Sequence, residues 1–339
     1  MSSGGDERVL LGHGSGGKLY RDLVRDVFVA AFANPVLERL DDAAALTTSG
    51  RIAFTTDSHV VQPLRFAGGD IGRLAVAGTV NDLATAAARP LALSAAFVIE
   101  EGFLLRDLRQ ICASMAAAAA EADVPIVTGD TKVVERGAAD GLFITTTGVG
   151  EIVVEHELGA GTVRPGDEVL LSGTIGDHAL AVLAARGEFK FTADVASDMA
   201  PLWGLVSLAL EAAGDGVRFL RDPTRGGLTT VLAELAESAQ LGVEVEEAAI
   251  PVSAAVRSVC DLLGYDPLVL ANEGKMVLVV APERAAGVLA ALQGHPLGRQ
   301  AQRIGAITSD HPGRVVLRTS FGTRRVLDMP VGELLHRIC

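Results

Sequence analysis

Aromatic side chains are scarce in this chain, at 4% of 339 residues. Its cores must therefore be filled by aliphatic side chains in close packing, in keeping with an abundance of alanine and 38 glycines. Cysteine is nearly as rare. Cys112, Cys260 and Cys339 stand far apart, which excludes a zinc ribbon and a disulfide framework. Cys112 and Cys260 sit in apolar, helical surroundings and read as buried bystanders. No apolar run approaches the roughly 18 residues of a membrane span and no signal-peptide pattern opens the sequence, so the expected compartment is the cytoplasm. Positive charge is short too: 29 Lys and Arg against 42 Asp and Glu leave a formal net charge of -13. That balance argues against nucleic acid or an anionic membrane as the main partner. It fits carboxylates that hold a divalent metal, and it fits solubility alone equally well.

What remains has ordinary globular composition and enough length for two domains. Strand and helix patterns alternate throughout, which predicts an α/β (α+β) protein in two halves. A helix is expected over 19–32, with Leu19, Leu23, Val27 and Ala31 on one face. Strands are expected at 9–11, 51–56, 91–99, 124–128 and 142–147, and helices over 71–88 and 104–122. Between Gly159 and Gly166 the periodicity lapses. The expected organisation is a domain over 1–158, a second over 159–328 and a tail over 329–339. The second half predicts strands at 168–171, 243–246, 276–280, 314–319 and 323–327, and helices over 201–213, 228–240, 252–263 and 283–293.

Four features point to chemistry. The run Gly12-His13-Gly14-Ser15-Gly16-Gly17-Lys18 lies between a strand and a helix and satisfies the phosphate-loop pattern except at its last position, where Leu19 offers no hydroxyl for a metal. It reads either as a linker or as backbone N–H groups plus Lys18 placed for phosphate. Asp42, Asp57, Asp82 and Asp130 lie in turns, at strand ends or on an apolar helix. Each alone suits a cap or turn; as a set they suit magnesium with nucleotide oxygens. Lys132 shares a strand face with Asp130 if that strand continues, Glu273 is a candidate base, and the Asp222-Pro223-Thr224-Arg225-Gly226-Gly227 turn opens a helix in a phosphate-friendly way. His178 reads as a helix cap or as a catalytic group. Finally, the chain ends on Cys339, a thiol on a mobile terminus that is either an accident of sequence or a swinging nucleophile.

Taken in order, Gly14-Ser15-Gly16-Gly17-Lys18, Asp41-Asp42-Ala43-Ala44, Thr56-Asp57, Asn81-Asp82-Leu83, Gly129-Asp130-Thr131-Lys132, Ser172-Gly173-Thr174-Ile175-Gly176-Asp177-His178, Asp222 through Gly227 and Asn272-Glu273-Gly274 resemble the ATP-dependent enzymes related to aminoimidazole ribonucleotide synthetase and selenophosphate synthetase. The terminal Arg337-Ile338-Cys339 narrows the resemblance to the HypE family of hydrogenase maturation factors, the carbamoyl dehydratases, whose tail usually reads Pro-Arg-Ile-Cys where this chain has His336. A selenophosphate synthetase would carry a reactive cysteine near the glycine loop, and none is there.

The resemblance implies a two-domain fold, a homodimer, and ATP with Mg2+. It implies dehydration of a carboxamide on Cys339 to a thiocyanate, as a source of cyanide for nickel–iron hydrogenase. The implied partners are the carbamoyltransferase HypF and the iron–cyanide scaffold proteins HypC and HypD. Asp42, Asp57, Asp82 and Asp130 would hold the metal and ATP, with Gly16, Gly17, Lys18 and Asp222 also near the nucleotide. Lys132 and Glu273 would polarise and deprotonate the carboxamide, with His178 lining the site. Two other readings stand beside it: a small-molecule kinase or cyclo-ligase of the same superfamily, and a carrier that turns over no ATP.

Overall fold

The computed structural model describes residues 7–14, 18–40, 44, 46–187, 195–330 and 335–339. The expected helix over 19–32 forms as α1 (Lys18–Leu23), a π-helical stretch Val24–Val29 and α2 (Ala30–Phe32). The wider π turn rotates the apolar stripe, so that Leu23, Val27, Phe28 and Phe32 are buried while Leu19 stays exposed. The expected strand at 9–11 is reduced to a single bridge between Arg8 and Leu104, followed by a 3-10 turn Leu11–Gly14.

The first lobe continues with β1 (Ile52–His59), a small hairpin of β2 (Arg65–Phe66) and β3 (Gly69–Asp70), and α3 (Ile71–Thr85). The Asp70 carboxylate caps α3 by accepting the N–H groups of Gly72 and Arg73 at 2.9 and 3.0 Å. Then come β4 (Ala88–Glu100), α4 (Leu105–Glu121), β5 (Ile126–Val134) and β6 (Leu142–Ile152). The sheet order is β1-β6-β4-β5, antiparallel except for the β4–β5 pair that α4 connects. β5 runs on through Gly129-Asp130-Thr131-Lys132, so Asp130 and Lys132 do share a strand face.

Register decides which side of this sheet each residue serves. Thr55 reaches Asp82 on α3, and Thr146 bonds the Ala75 carbonyl, so those positions face the helices. The alternate positions Phe54, Val149, Thr145, Ala96, Asp130 and Lys132 therefore share the opposite face. No described helix covers that face, and Phe54 is 70% exposed on it.

The second lobe contains β7 (Glu168–Leu171), α5 (Asp177–Arg186), α6 (Trp203–Ala213), β8 (Val217–Arg221), α7 (Gly227–Ala239), β9 (Gly242–Glu246) and α8 (Ala254–Leu263). It ends with β10 (Val277–Val280), α9 (Pro282–Gly294), β11 (Gln302–Thr308), β12 (Val315–Arg318) and β13 (Arg324–Leu327). Its sheet order is β13-β12-β9-β11-β7-β10-β8. β10 is buried at all four positions because its neighbours β7 and β8 flank it and helices cover both faces. Three elements lie outside the sequence expectation. α5 buries six consecutive residues, His178 to Leu183, so no polar stripe marks its period, and β8 and β11 interleave Arg218, Arg221, Gln302 and Arg303 with their apolar residues. Cys112 and Cys260 are free and buried.

Asn81 on α3 ties the lobes together. Its amide nitrogen donates to the carbonyls of Ala200 and Glu273, both at 3.1 Å, and its oxygen accepts the Leu202 N–H at 2.8 Å. Asn81→Leu preserves the volume and removes the partners of the Ala200 carbonyl and the Leu202 N–H, while the Glu273 carbonyl keeps the Ala200 N–H at 3.4 Å. Each buried group left unpaired costs about 1–3 kcal/mol. The expected outcome in urea unfolding is a loss of about 2 kcal/mol or more.

Candidate active site

Residues 335–339 lie in the cleft between the lobes, held mostly through their main chain. The N–H of Val60, just past β1, donates to the Cys339 carbonyl, and that of Gln62 to the Arg337 carbonyl, each at 3.2 Å. From the second lobe, Arg186 in the last turn of α5 donates to the carbonyls of His336 and Arg337 and, through Nε, to that of Gln62 at 2.9 Å. Where the family tail has proline, His336 thus contributes a carbonyl to an arginine clamp. Ile338 is buried in the main hydrophobic cluster.

His178, fully buried in the first turn of α5, completes the grip. Burial pushes its pKa down, so the ring is neutral. A proton on Nε2 donates to the Ile338 carbonyl at 2.8 Å, leaving Nδ1 to accept from Ser197 Oγ at 2.8 Å. The ring also meets Phe66 edge-on at 5.4 Å. His178 therefore binds the tail's backbone.

Arg337 adds side-chain contacts. Its Nε donates to the Val60 carbonyl at 2.9 Å, its Nη1 pairs with Asp140, and its guanidinium lies 5.9 Å from the Phe143 ring centre. Its backbone sits at φ 49°, in the left-handed region that costs a non-glycine residue about 1–3 kcal/mol.

The docked thiol sits among carboxylates. Burial pushes its pKa above the ordinary range, Glu273, Asp57 and Asp222 push the same way, and Arg225 opposes them. Sulfur in this position stays protonated and is a poor nucleophile. Glu273 is 4% exposed, and its Oε1 has no hydrogen-bond partner. Its backbone is pinned: its N–H donates to Asp198 Oδ1 at 3.1 Å, and Lys275 pairs with the same carboxylate at 3.0 Å. Neighbouring Asn272 donates to the carbonyls of Pro223 and Leu270 and accepts the Gly176 N–H. Gly274 must be glycine, since a Cβ there would stand 1.8 Å from the Asp198 carbonyl oxygen.

Burial, followed by the Asp222 carboxylate, holds Glu273 well above the usual carboxylate range. Burial and then Asp82 push Asp222 up to about 7. Asp82 is also raised by burial, although Thr55 Oγ1 donates to it at 2.8 Å. Asp57 lies 3.7 Å from His59 Nε2, on a histidine that is itself buried.

The expected site residues thus fall into two groups. Cys339, Glu273, Asp222, Asp57, Asp82 and His178 converge on the tail cleft. Asp130 and Lys132 pair with each other at 2.7 Å on the open face of β5, at the opposite edge of the sheet from β1. One chain therefore does not bring Asp130 to Asp57 and Asp82, because strand alternation turns them to opposite faces. Asp42, Gly16 and Gly17 lie outside the described residues. Lys18 opens α1 and lines a cavity of about 900 Å³ with Tyr20, Arg21, Phe28, Phe97 and Asp130, apolar within and charged at its rim. The acids fit a hard divalent cation: an unpartnered buried carboxylate oxygen and carboxylates that raise one another are what such a charge relieves. Among the described residues no three His, Cys, Asp or Glu side chains are grouped so as to hold a metal ion by themselves. Sequence reasoning missed Arg186, Asp140, His59 and Asp198, which carry no motif and matter only through where folding puts them.

Known proteins resemble the chain over almost all of this framework. The family models for the N-terminal and C-terminal domains of AIR synthase related proteins match residues 40–152 and 164–318. The chain is 51% identical to a carbamoyl dehydratase HypE of Rhodobacter capsulatus, over 98% of this chain and 99% of that protein. A crystal structure of a hydrogenase maturation protein HypE in complex with ATP superposes with a TM-score of 0.93 at 48% identity, covering 97% of this chain and 99% of that one. A HypE–HypF complex contains a chain that matches with a TM-score of 0.80 at 46% identity, over 91% and 99%.

The raised carboxyls give a stability signature. Asp222 shifts from an ordinary 3.8 to about 7, so the folded state holds this proton more tightly than the unfolded state. Without divalent cation, stability is expected to fall as pH rises from about 4 to 7, by on the order of 3 kcal/mol. Asp222→Asn flattens that slope in urea titrations run across the same pH range.

Proposed function

The chain belongs to the HypE family of carbamoyl dehydratases, and we propose that it converts a carboxamide carried on its own Cys339 into a thiocyanate, using ATP, to supply cyanide for a nickel–iron hydrogenase. The observation that carries this reading is the tail itself, which seats its terminal thiol beside a buried, unpartnered carboxylate oxygen of Glu273. The protonated docked sulfur is unsuited to attack, so the carboxamide is loaded elsewhere and carried in.

Transfer of phosphate from ATP to the carboxamide oxygen turns a poor leaving group into one that departs as phosphate. One N–H proton is released as the oxygen takes the phosphoryl group, leaving an O-phosphorylated imidate. Glu273 then takes the second N–H proton, the N–H electron pair closes the C≡N bond, the C–O bond breaks, and the proton leaves on the departing phosphate. The carboxylate oxygen that has no hydrogen-bond partner is free to accept that proton. Ile338, buried behind the sulfur, and the main-chain grip of Arg186 and His178 plug the cleft against water, which would hydrolyse an activated carboxamide. His178 acts by positioning the tail.

Mg2+ would be held by Asp42, Asp57 and Asp82, with Asp130 arriving from a second copy. Gly16, Gly17, Lys18 and Asp222 would meet the nucleotide, whose base suits the cavity beside α1. Two copies packed through their open sheet faces would cover Phe54 and carry Asp130 and Lys132 across the interface, where Lys132 would polarise the carboxamide. The lobe boundary belongs between β6 and β7, with 1–158 as the nucleotide and pairing domain, 159–328 as the second domain and 329–339 as the tail. A carbamoyltransferase of the HypF type loads the thiol, and scaffold proteins of the HypC and HypD type receive the cyanide. The reaction belongs in the cytoplasm, where the thiol stays reduced.

With a HypF-type partner, carbamoyl phosphate and ATP, intact-mass analysis should show a carboxamide gained on Cys339 and then one water lost. Glu273→Gln should accumulate the carboxamide, with dehydration slowed about 10²-fold or more. ATP turnover that survives Cys339→Ala unchanged would overturn the reading in favour of a small-molecule kinase. Phe54→Glu should shift the dimer to monomer in analytical ultracentrifugation.

A further inference from the structure

We propose that Asp140 and Arg337 form a reversible latch that sets how long the tail stays in the cleft, making Asp140 a positioning residue for Cys339. The inference rests on the tail-swinging reading above and adds to it the contact that governs the swing.

Apart from the bonds of the Arg337 side chain, the hydrogen bonds described for the docked tail fall on its main-chain carbonyls. Val60 and Gln62 donate to the Cys339 and Arg337 carbonyls, His178 to that of Ile338, and Arg186 to those of His336 and Arg337. Such contacts would hold almost any terminal sequence. Beside the apolar burial of Ile338, Arg337 is the tail residue that makes polar side-chain contacts with the cleft, and it does so from a left-handed backbone at φ 49°. An arginine in that conformation is strained, so the docked shape persists only while its side-chain contacts compensate. The bond to the Val60 carbonyl and the face of Phe143 contribute, and the Asp140 carboxylate supplies the one opposite charge.

Asp140 is presented rigidly. It sits in the loop between β5 and β6, where the Glu100 carboxylate accepts the N–H groups of Gly137 and Gly141 at 2.8 and 3.0 Å. Those two bonds anchor the loop backbone on either side of Asp140 independently of any tail atom. The pair is also open to solvent, with side-chain exposures of 31% for Arg337 and 49% for Asp140. A buried pair would lock the tail; a solvated one is weak enough to break on each cycle. Asp140 lies on the first lobe, whereas Arg186 and His178 lie on the second, so the latch closes the cleft from the other side.

The test is the rate at which an aromatic disulfide reagent labels Cys339 in the full-length protein. Cys112 and Cys260 are buried and contribute little background. At low salt, Asp140→Asn should be labelled about three-fold faster than the wild type. Raising salt to ~1 M, where charges are screened within about 3 Å, should speed the wild type toward the variant and leave the variant nearly unchanged. Arg337→Lys, which keeps the charge and loses the Nε bond to Val60, should fall between them. In single-turnover assays, Asp140→Asn should accept the carboxamide faster and dehydrate it more slowly, a split that loss of folding would not produce. Equal labelling of wild type and Asp140→Asn at all salt concentrations overturns the latch, even if both proteins dehydrate normally. Faster, salt-insensitive labelling of the variant supports the latch even where neither protein makes thiocyanate, an outcome that would sink the dehydratase reading instead.

Discussion

Carboxylates kept out of water beside one another repel, and folding must hold them in place by other means. Asp57, Asp82, Asp222 and Glu273 come from both lobes and meet where the tail docks. Burial first, and the neighbouring carboxylates after it, raise Glu273, Asp222 and Asp82. The scaffold that holds them combines buried amide hydrogen bonds with one buried ion pair. Asn81 and Asn272 spend their amides on backbone groups of the adjoining loops, and the Asp198–Lys275 pair pins the strand that follows Glu273. The site is thus preorganised while one carboxylate oxygen is left unpartnered, as a base or a cation ligand requires.

The tail exploits that preparation without being locked into it. Its grip is a sum of modest contacts, several to main chain, set against a strained residue at 337 and a thiol placed among acids. A group that must visit two sites needs a small difference between its docked and free states, because a deep minimum at either would stall the cycle. Ile338 supplies the apolar anchor, the Arg186 clamp gives direction, and the solvated contact with Asp140 leaves the balance adjustable.

The division of the expected metal ligands follows from the same sheet. Asp57 and Asp130 both lie on strands of the first lobe, yet alternation sends one toward α3 and the other to the open face. Proximity in motif order therefore did not become proximity in space within one chain. An uncovered face that carries Phe54, Asp130 and Lys132 together is what reconciles the motifs with one reaction centre, provided that a second copy covers it.

The sequence by itself determined the alternation of strands and helices, the near-complete glycine loop, the candidate base Glu273, and a terminal thiol with a basic neighbour. These are local properties: periodicity, turn chemistry and residue type act over a few positions and can be read in line. It could not show α5, which buries six consecutive residues and so has no polar stripe, nor β8 and β11, whose polar residues mask their pattern. It could not show that Arg186 and Asp140 hold the tail, because each acts on a residue 150 or more positions away. Nor could it choose between His178 as a helix cap and as a functional group. Tertiary structure decided that question by burying the ring, which keeps it neutral and turns its one N–H to the Ile338 carbonyl.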